Sequence, residues 1–213
     1  MTTALIPVNR LDRAKGRLSE RLDGATREAL ARATFTTVLE ASRRVFSPVV
    51  VLTADEAAAA IATSAGARVI AEDPARSGLN PQLEHALAIL GEPEGGIAIL
   101  HADLPFATRE LLEGFLSAAL PAPSATLVRS VDGGTNLMLL RPAGRFALAY
   151  GPGSYERHVA AATAAGMVIT AFESPPLELD LDTPADIEAC MAMPGALATR
   201  AGALLAARGF LPA

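Results

Sequence analysis

Three aspartates and a lysine carry the chemistry this sequence offers. Asp103 follows four consecutive apolar residues in the stretch GIAILHADLPF (96–106), which lies between a Gly pair and a Pro and reads as a strand buried on both faces. Ligands of open α/β sheets bind beyond the carboxyl ends of the strands, so Asp103 is a candidate metal-site or phosphate-site carboxylate; the alternative is an ordinary turn residue before the next helix. Asp180 and Asp182, in LDLDTPADI (179–187), are two apart on an extended segment and share a face. A paired acid of this kind calls for a cation, and Mg²⁺ favours such oxygen ligands. Capping explains Thr183, Pro184 and Asp186 without function.

The cationic counterpart follows the first apolar run. NRLDRAKGRLS (9–19) holds Arg10, Arg13, Lys15 and Arg17 around Gly16, and Lys15 is the chain's single lysine among 18 Lys and Arg residues. Such a loop either neutralises a polyphosphate, Lys as a point charge and Arg as a fork, or is simply solvated. Asn80 caps a helix or faces a nucleobase with its donor and acceptor. The Gly133-Gly134 turn before Thr135 is a hairpin or a close approach to an anion. Gly151-Pro-Gly-Ser154 places glycines and a Ser N-cap at a helix start, a ready anion site, with His158 on the same helix face. There is no GxxxxGK[ST] or GxGxxG loop, which disfavours P-loop and dinucleotide-binding proteins.

The elements that must position these residues follow from periodicity. Residues 4–8, 49–52, 68–71, 97–100, 125–129 and 137–140 read as strands, with Pro7 pointing to a strand end or a sheet edge. Helices are expected over 26–45, from Asp55 to a stop at Gly66, over 81–90 with Asn80 at the N-cap, over 108–119 capped by Thr108, and over 154–165. The β-α-β-α-β alternation of the first 71 residues predicts a doubly wound, mostly parallel sheet. With 213 residues, one domain over 1–213 is expected, ending in an apolar helical tail at 192–213 that packs on the domain or forms a homodimer contact.

Net charge is −5, with few aromatics and no basic tract, which argues against a nucleic-acid surface. No apolar run reaches the ~20 residues of a membrane span, and the N-terminus has no signal-peptide pattern, so a cytoplasmic protein is expected. Cys190 reads as a small buried hydrophobe.

Taken in order, AKGRLS, GLN, HADLP, GGTN, GPGS and LDLDTPADI resemble the 2-phospho-L-lactate guanylyltransferase family of deazaflavin coenzyme (factor 420) biosynthesis, over residues 4 to 190. The resemblance implies a single-domain, three-layer α/β/α nucleotidyltransferase fold of GT-A-like, Rossmann-like type. It also implies transfer of GMP from GTP to 2-phospho-L-lactate, phosphoenolpyruvate or 3-phospho-D-glycerate, with release of pyrophosphate. By the same resemblance Lys15 and Arg17 meet the triphosphate and, with Asp103, act catalytically, and Asn80 helps hold the guanosine. Asp103, Asp180 and Asp182 bind Mg²⁺, and Thr135, Gly151 and Ser154 contact the phosphorylated acid. Asn9 stands where many members have Lys, and the tail has no family motif. Competing readings are a nucleotidyltransferase for molybdopterin or a sugar phosphate, a glycosyltransferase, and a non-catalytic GTP-binding regulator. Glycosyltransferases of this fold place Asp-x-Asp at the middle strand end, where this chain has only Asp103.

Overall fold

The computed structural model describes residues 1–211. Its strands are β1 (Thr3–Pro7), β2 (Val49–Thr53), β3 (Arg68–Ala71), β4 (Ile97–Leu100), β5 (Ser124–Arg129), β6 (Thr135–Arg141) and β7 (Val168–Ala171). They form one sheet in the order β3-β2-β1-β4-β6-β5-β7. Helices α1 (Gly24–Arg43), α2 (Glu56–Ser64), α3 (Leu79–Leu90), α4 (Arg109–Ser117), α5 (Ser154–Ala164), α6 (Pro175–Glu178), α7 (Pro184–Ala192) and α8 (Arg200–Ala206) complete the chain, with 3-10 turns at Leu11–Arg13, Gly16–Leu18 and Ala196–Ala198.

Residue alternation along the central strands builds the three layers. Ala4 and Ile6 of β1, Val49 and Val51 of β2, and Ala98 and Leu100 of β4 enter one core with Phe35 and Val38 of α1 and Phe115 of α4. Leu5, Val50, Ile97 and Ile99 enter the other, with Leu83 and Ala86 of α3 and Ala162 of α5. Strands apolar on both faces must be covered on both, which is why their sequences read as unbroken apolar runs.

Only β6 runs against the other strands: it pairs antiparallel with β4 (Ile99 opposite Met138) and with β5 (Leu127 opposite Met138). The turn at Asp132–Gly134 is too short for a crossover, so β5 and β6 must form a hairpin; Gly133 supplies the positive φ of 87°. The amino end of β6 therefore lies at the same sheet edge as the carboxyl ends of β1 and β4.

Some expectations change. Pro7 lies at the carboxyl end of β1, but β1 is central, between β2 and β4, so the proline marks a strand end and no edge. Helix α3 begins at Leu79 with Gly78 at its N-cap (φ 88°), which moves Asn80 into the first turn. Gly153 (φ 67°) takes the N-cap of α5, so Ser154 is the first helical residue. Strand β7 and helix α6 were not expected. The tail is a 3-10 turn plus the short α8, and Ala196, Ala201 and Leu205 fill a third core with Leu30 of α1 and Ile187 of α7. Arg200 pairs with Glu40 at 2.9 Å and Arg208 with Asp23 at 3.4 Å, tying the tail to α1 from outside. Residues 212–213 of the expected tail lie outside the described residues. Among the described residues no helix is long and apolar enough to cross a membrane.

Candidate active site

From β1 the chain winds outward to β2 and β3, then returns to place β4 on the other side of β1. The crevice where that direction reverses lies between the carboxyl ends of β1 and β4, the usual ligand site of such sheets. A cleft of about 940 Å³ opens there, lined by the 9–17 loop, by Glu72 and Arg76 to Leu79, and by His101, Asp103 and Asp182.

The loop after β1 is held in place before it reaches the cleft. Thr53 donates its hydroxyl to Val8 O (2.8 Å), and Asp55 accepts from the Leu11 N–H (3.0 Å) while also capping α2. Lys15 then turns back with φ 59°, ψ 35°, the one positive φ at a non-glycine among the described residues. This left-handed conformation costs about 1–2 kcal/mol. It directs the ammonium between two carboxylates, 2.8 Å from Asp103 Oδ2 and 2.9 Å from Asp182 Oδ1, with the Lys15 side chain only 5% exposed. Burial pushes the Lys15 pKa down, but the charges of Asp103 and then Asp182 more than reverse this and leave it raised.

Asp103, Asp180 and Asp182 each bring a carboxylate oxygen to within 4.8 Å of the others. Against three acids stands one ammonium, and their titration reflects this. Burial pushes Asp103 up, but Lys15 and then His101 outweigh it and hold its carboxyl below the usual range. Asp180 has no cation of its own: burial, then the charges of Asp103 and Asp182, push it up to about 7. Asp103 Oδ1 is buried without a hydrogen-bond partner. Three hard oxygen donors, one of them orphaned and another raised by its neighbours' charge, fit a divalent cation.

Behind the acids sits Asn136, a residue the sequence reading did not single out. It is buried, donates Nδ2 to Leu177 O and Glu178 O (both 3.0 Å), and lies 3.5 Å from Asp180 Oδ1. Its carbonyl accepts from the His101 N–H at 3.0 Å, and the Leu181 N–H donates to Asp103 O at 3.3 Å. The β4 end, β6 and the 177–182 segment are thereby fastened together.

Thr135, Gly151 and Ser154 also come together, but two of them face inward. Thr135 and Ser154 are each 1% exposed and share a 3.1 Å hydroxyl contact, and Thr135 Oγ1 meets His158 Nδ1 at 3.0 Å. His158 Nε2 accepts from the Ala149 N–H at 2.9 Å, so the ring is neutral with its proton on Nδ1. The expected convergence of free N–H groups at the start of α5 is reduced: Pro152 has none, Ser154 N–H bonds Gly151 O (3.0 Å) and Tyr155 N–H bonds Gly133 O (3.3 Å). Arg157 closes the loop from outside through Pro152 O and Ala149 O.

Burial, then the Arg157 charge, lowers the His158 pKa to about 4. The unfolded chain, at about 6.5, takes up a proton first as pH falls, so this contribution to stability is complete above pH 6.5 and is lost from there toward pH 4. The expected result is that the melting-temperature gap between wild type and His158→Gln narrows between pH 7 and pH 5; a constant gap would exclude a neutral buried imidazole.

Asn80 is not directed at the cleft. Its Nδ2 donates to Tyr150 O (3.1 Å) and its Oδ1 accepts from the Tyr150 N–H (2.7 Å), so both ends of the amide clasp the backbone next to Gly151. Gln82 does similar work for the 72–78 loop, accepting from Asp73 N–H (2.9 Å) and donating to Asp73 O (2.7 Å) and Arg76 O (2.9 Å). Arg17 lines the cleft and is exposed, with no ion pair among the described residues.

The chain has named relatives. Residues 2–200 match the family model "Guanylyl transferase CofC like". A phosphoenolpyruvate guanylyltransferase of Thermomonospora curvata is 39% identical over 194 residues, covering 89% of this chain and 82% of that protein. A 2-phospho-L-lactate guanylyltransferase of Methanothermobacter thermautotrophicus is 32% identical over 186 residues, 87% of this chain and 82% of that protein. Among solved structures, a nucleotidyl transferase of Methanothermobacter superposes with a TM-score of 0.59 at 17% identity, over 87% of this chain and 94% of that one, a likeness of fold.

Proposed function

Since the chain belongs to the CofC-like guanylyl transferase family and is a nucleotidyltransferase, we propose that it transfers GMP from GTP to phosphoenolpyruvate, with Mg²⁺ as its metal, in the biosynthesis of the deazaflavin coenzyme. Phosphoenolpyruvate is chosen over 2-phospho-L-lactate because it is the substrate named for the relatives of higher identity. The observation that carries the reading is the clustering of Asp103, Asp180 and Asp182 at the switch point, with Lys15 paired to the first and last of them, beside a loop of arginines.

In the reaction a phosphate oxygen of the acid attacks the α-phosphorus of GTP, a new P–O bond forms, the bond to the bridging oxygen of the β-phosphate breaks, and pyrophosphate leaves with that electron pair. The attacking phosphate is already ionised at neutral pH, so no side chain need act as base. His158, behind the Gly151 loop, has both ring nitrogens engaged and is not free to act as one. Asp103, Asp180 and Asp182 would hold the metal, which when bound neutralises charge on the phosphates. Lys15 and Arg17 supply fixed positive charge to the triphosphate, and the loop around Gly151, braced by Thr135, Ser154 and Asn80, seats the acid.

Asn80 separates two roles. If it braces the acceptor loop, Asn80→Ala raises the KM of the acid about tenfold and costs about 1–2 kcal/mol of stability, the value of two hydrogen bonds, with the KM of GTP little changed. A rise in the KM of GTP alone would return Asn80 to the guanosine.

The test of the function is pyrophosphate release from GTP and Mg²⁺ with phosphoenolpyruvate, 2-phospho-L-lactate or 3-phospho-D-glycerate, and with no acid. Fastest release with phosphoenolpyruvate is expected. Faster release with another acid corrects the acceptor, and no release with any of the three overturns the reading.

A further inference from the structure

With Asn80 spent on Tyr150 and Gln82 spent on its own loop, neither amide of the 72–82 region is free to read a base. One carboxylate of that region remains. Glu72 follows the carboxyl end of β3, lines the cleft and is half-buried, and among the described residues no hydrogen bond or ion pair reaches its carboxylate. Its neighbours account for their own charge: Asp73 accepts from the Ala75 N–H at 2.9 Å and pairs with Arg76 at 3.2 Å. Burial alone pushes the Glu72 pKa up, as expected for a carboxylate that has lost water and gained no donor. Its backbone is fixed, since the Glu72 N–H donates to Thr53 O at 3.3 Å and the loop that follows is clasped by Gln82.

The position of Glu72 along the sheet matters as much as its lack of a partner. The strand order is β3-β2-β1-β4, so Glu72 stands at the far end of the cleft from Asp103. That is three strand spacings, roughly 14 Å, a span suited to a nucleotide lying across the strand ends with its phosphates over β1 and β4. The phosphate end carries Lys15, Arg13 and Arg17, and the opposite end offers an acidic acceptor.

We propose that Glu72 is the residue that selects the base of the nucleotide, its carboxylate accepting from the N1–H and the 2-amino group of guanine. This deepens the proposed function and rests on GTP being the donor. Guanine presents two adjacent donors on that edge, which a carboxylate accepts as a pair; adenine presents an acceptor at N1 and no 2-amino group, and hypoxanthine keeps N1–H but lacks the amine. Leaving a buried acceptor unmatched is what gives such a site its selectivity.

The experiment is calorimetric titration of the full-length protein with GTP, ITP and ATP, each with Mg²⁺ and without any acid, so that an error in the assigned acceptor does not touch it. Wild type should bind GTP at least about tenfold more tightly than ITP, and ITP more tightly than ATP. In Glu72→Gln, nearly the same shape, the GTP-to-ITP ratio should fall to within about threefold of unity, and Glu72→Asp should keep part of it. Thermal melts of both variants within a few degrees of wild type establish that the fold is kept. A wild type that does not distinguish GTP from ITP overturns the proposal, as does a Glu72→Gln variant that still does. Absence of binding by all three nucleotides in wild type would instead overturn the GTP-dependent reading itself.

Discussion

Asp103→Asn is expected to reduce kcat/KM by about 10³-fold or more, with the melting temperature within a few degrees of wild type. The two halves of that result have different causes. Asparagine keeps the shape and an acceptor oxygen for the Lys15 ammonium, now at 2.8 Å from Asp103 Oδ2, and Lys15 retains Asp182 at 2.9 Å. The structural loss is then about 1 kcal/mol, or roughly 2–4 °C for a chain of this size. What disappears is a full negative charge at the end of β4, from the member of the acidic trio whose unpartnered oxygen is buried. The metal proposed for the three carboxylates would lose one of them, and an amide offers one neutral oxygen in its place. Pyrophosphate release beside a thermal melt reads both halves, and wild-type turnover in the variant would remove Asp103 from the metal site.

The parts of this site that the sequence disclosed are those fixed by short stretches of chain. Four consecutive apolar residues before HADLP placed Asp103 at a strand end, because a strand covered on both faces has no polar side to show. Asp180 and Asp182 were found on one face because the extended chain repeats every two residues. The partners of these residues were hidden, since Lys15 meets Asp103 across 88 positions and Asp182 across 167, and only the sheet order brings them together. Asn80 shows the same limit from the other side. Its place near a helix start suggested capping, but Gly78 with φ 88° starts the helix earlier, and the amide meets Tyr150, 70 positions on. Strand β7 is not legible in the sequence because its side chains are exposed or half-exposed, so VITA shows no strong pattern between Gly166 and the prolines of α6. Asn136 has a signal, a polar residue near the start of an almost wholly buried strand, and such a residue must find partners.

Lys15→Met is the more revealing variant, because it separates the structural task of the lysine from the catalytic one proposed for it. The ammonium is the single cation within hydrogen-bond distance of Asp103 and Asp182 among the described residues, and it holds a left-handed backbone to reach them. Methionine preserves most of the buried stem and removes the charge, leaving partly buried acids facing one another. Breaking a buried pair from one side costs about 3 kcal/mol, lowering the melting temperature by roughly 6–12 °C. The same change frees the acids for another cation, so added Mg²⁺ should raise the melting temperature of Lys15→Met more than that of wild type, where the ammonium competes for the same oxygens. Activity should nonetheless stay at least about 10²-fold below wild type at saturating Mg²⁺, because the positive charge proposed to meet the triphosphate is not restored. A melting temperature equal to wild type, with no added response to Mg²⁺, would show that the acids do not depend on Lys15. Recovery of full activity by Mg²⁺ alone would show that the lysine serves the apo fold and takes no part in the transfer.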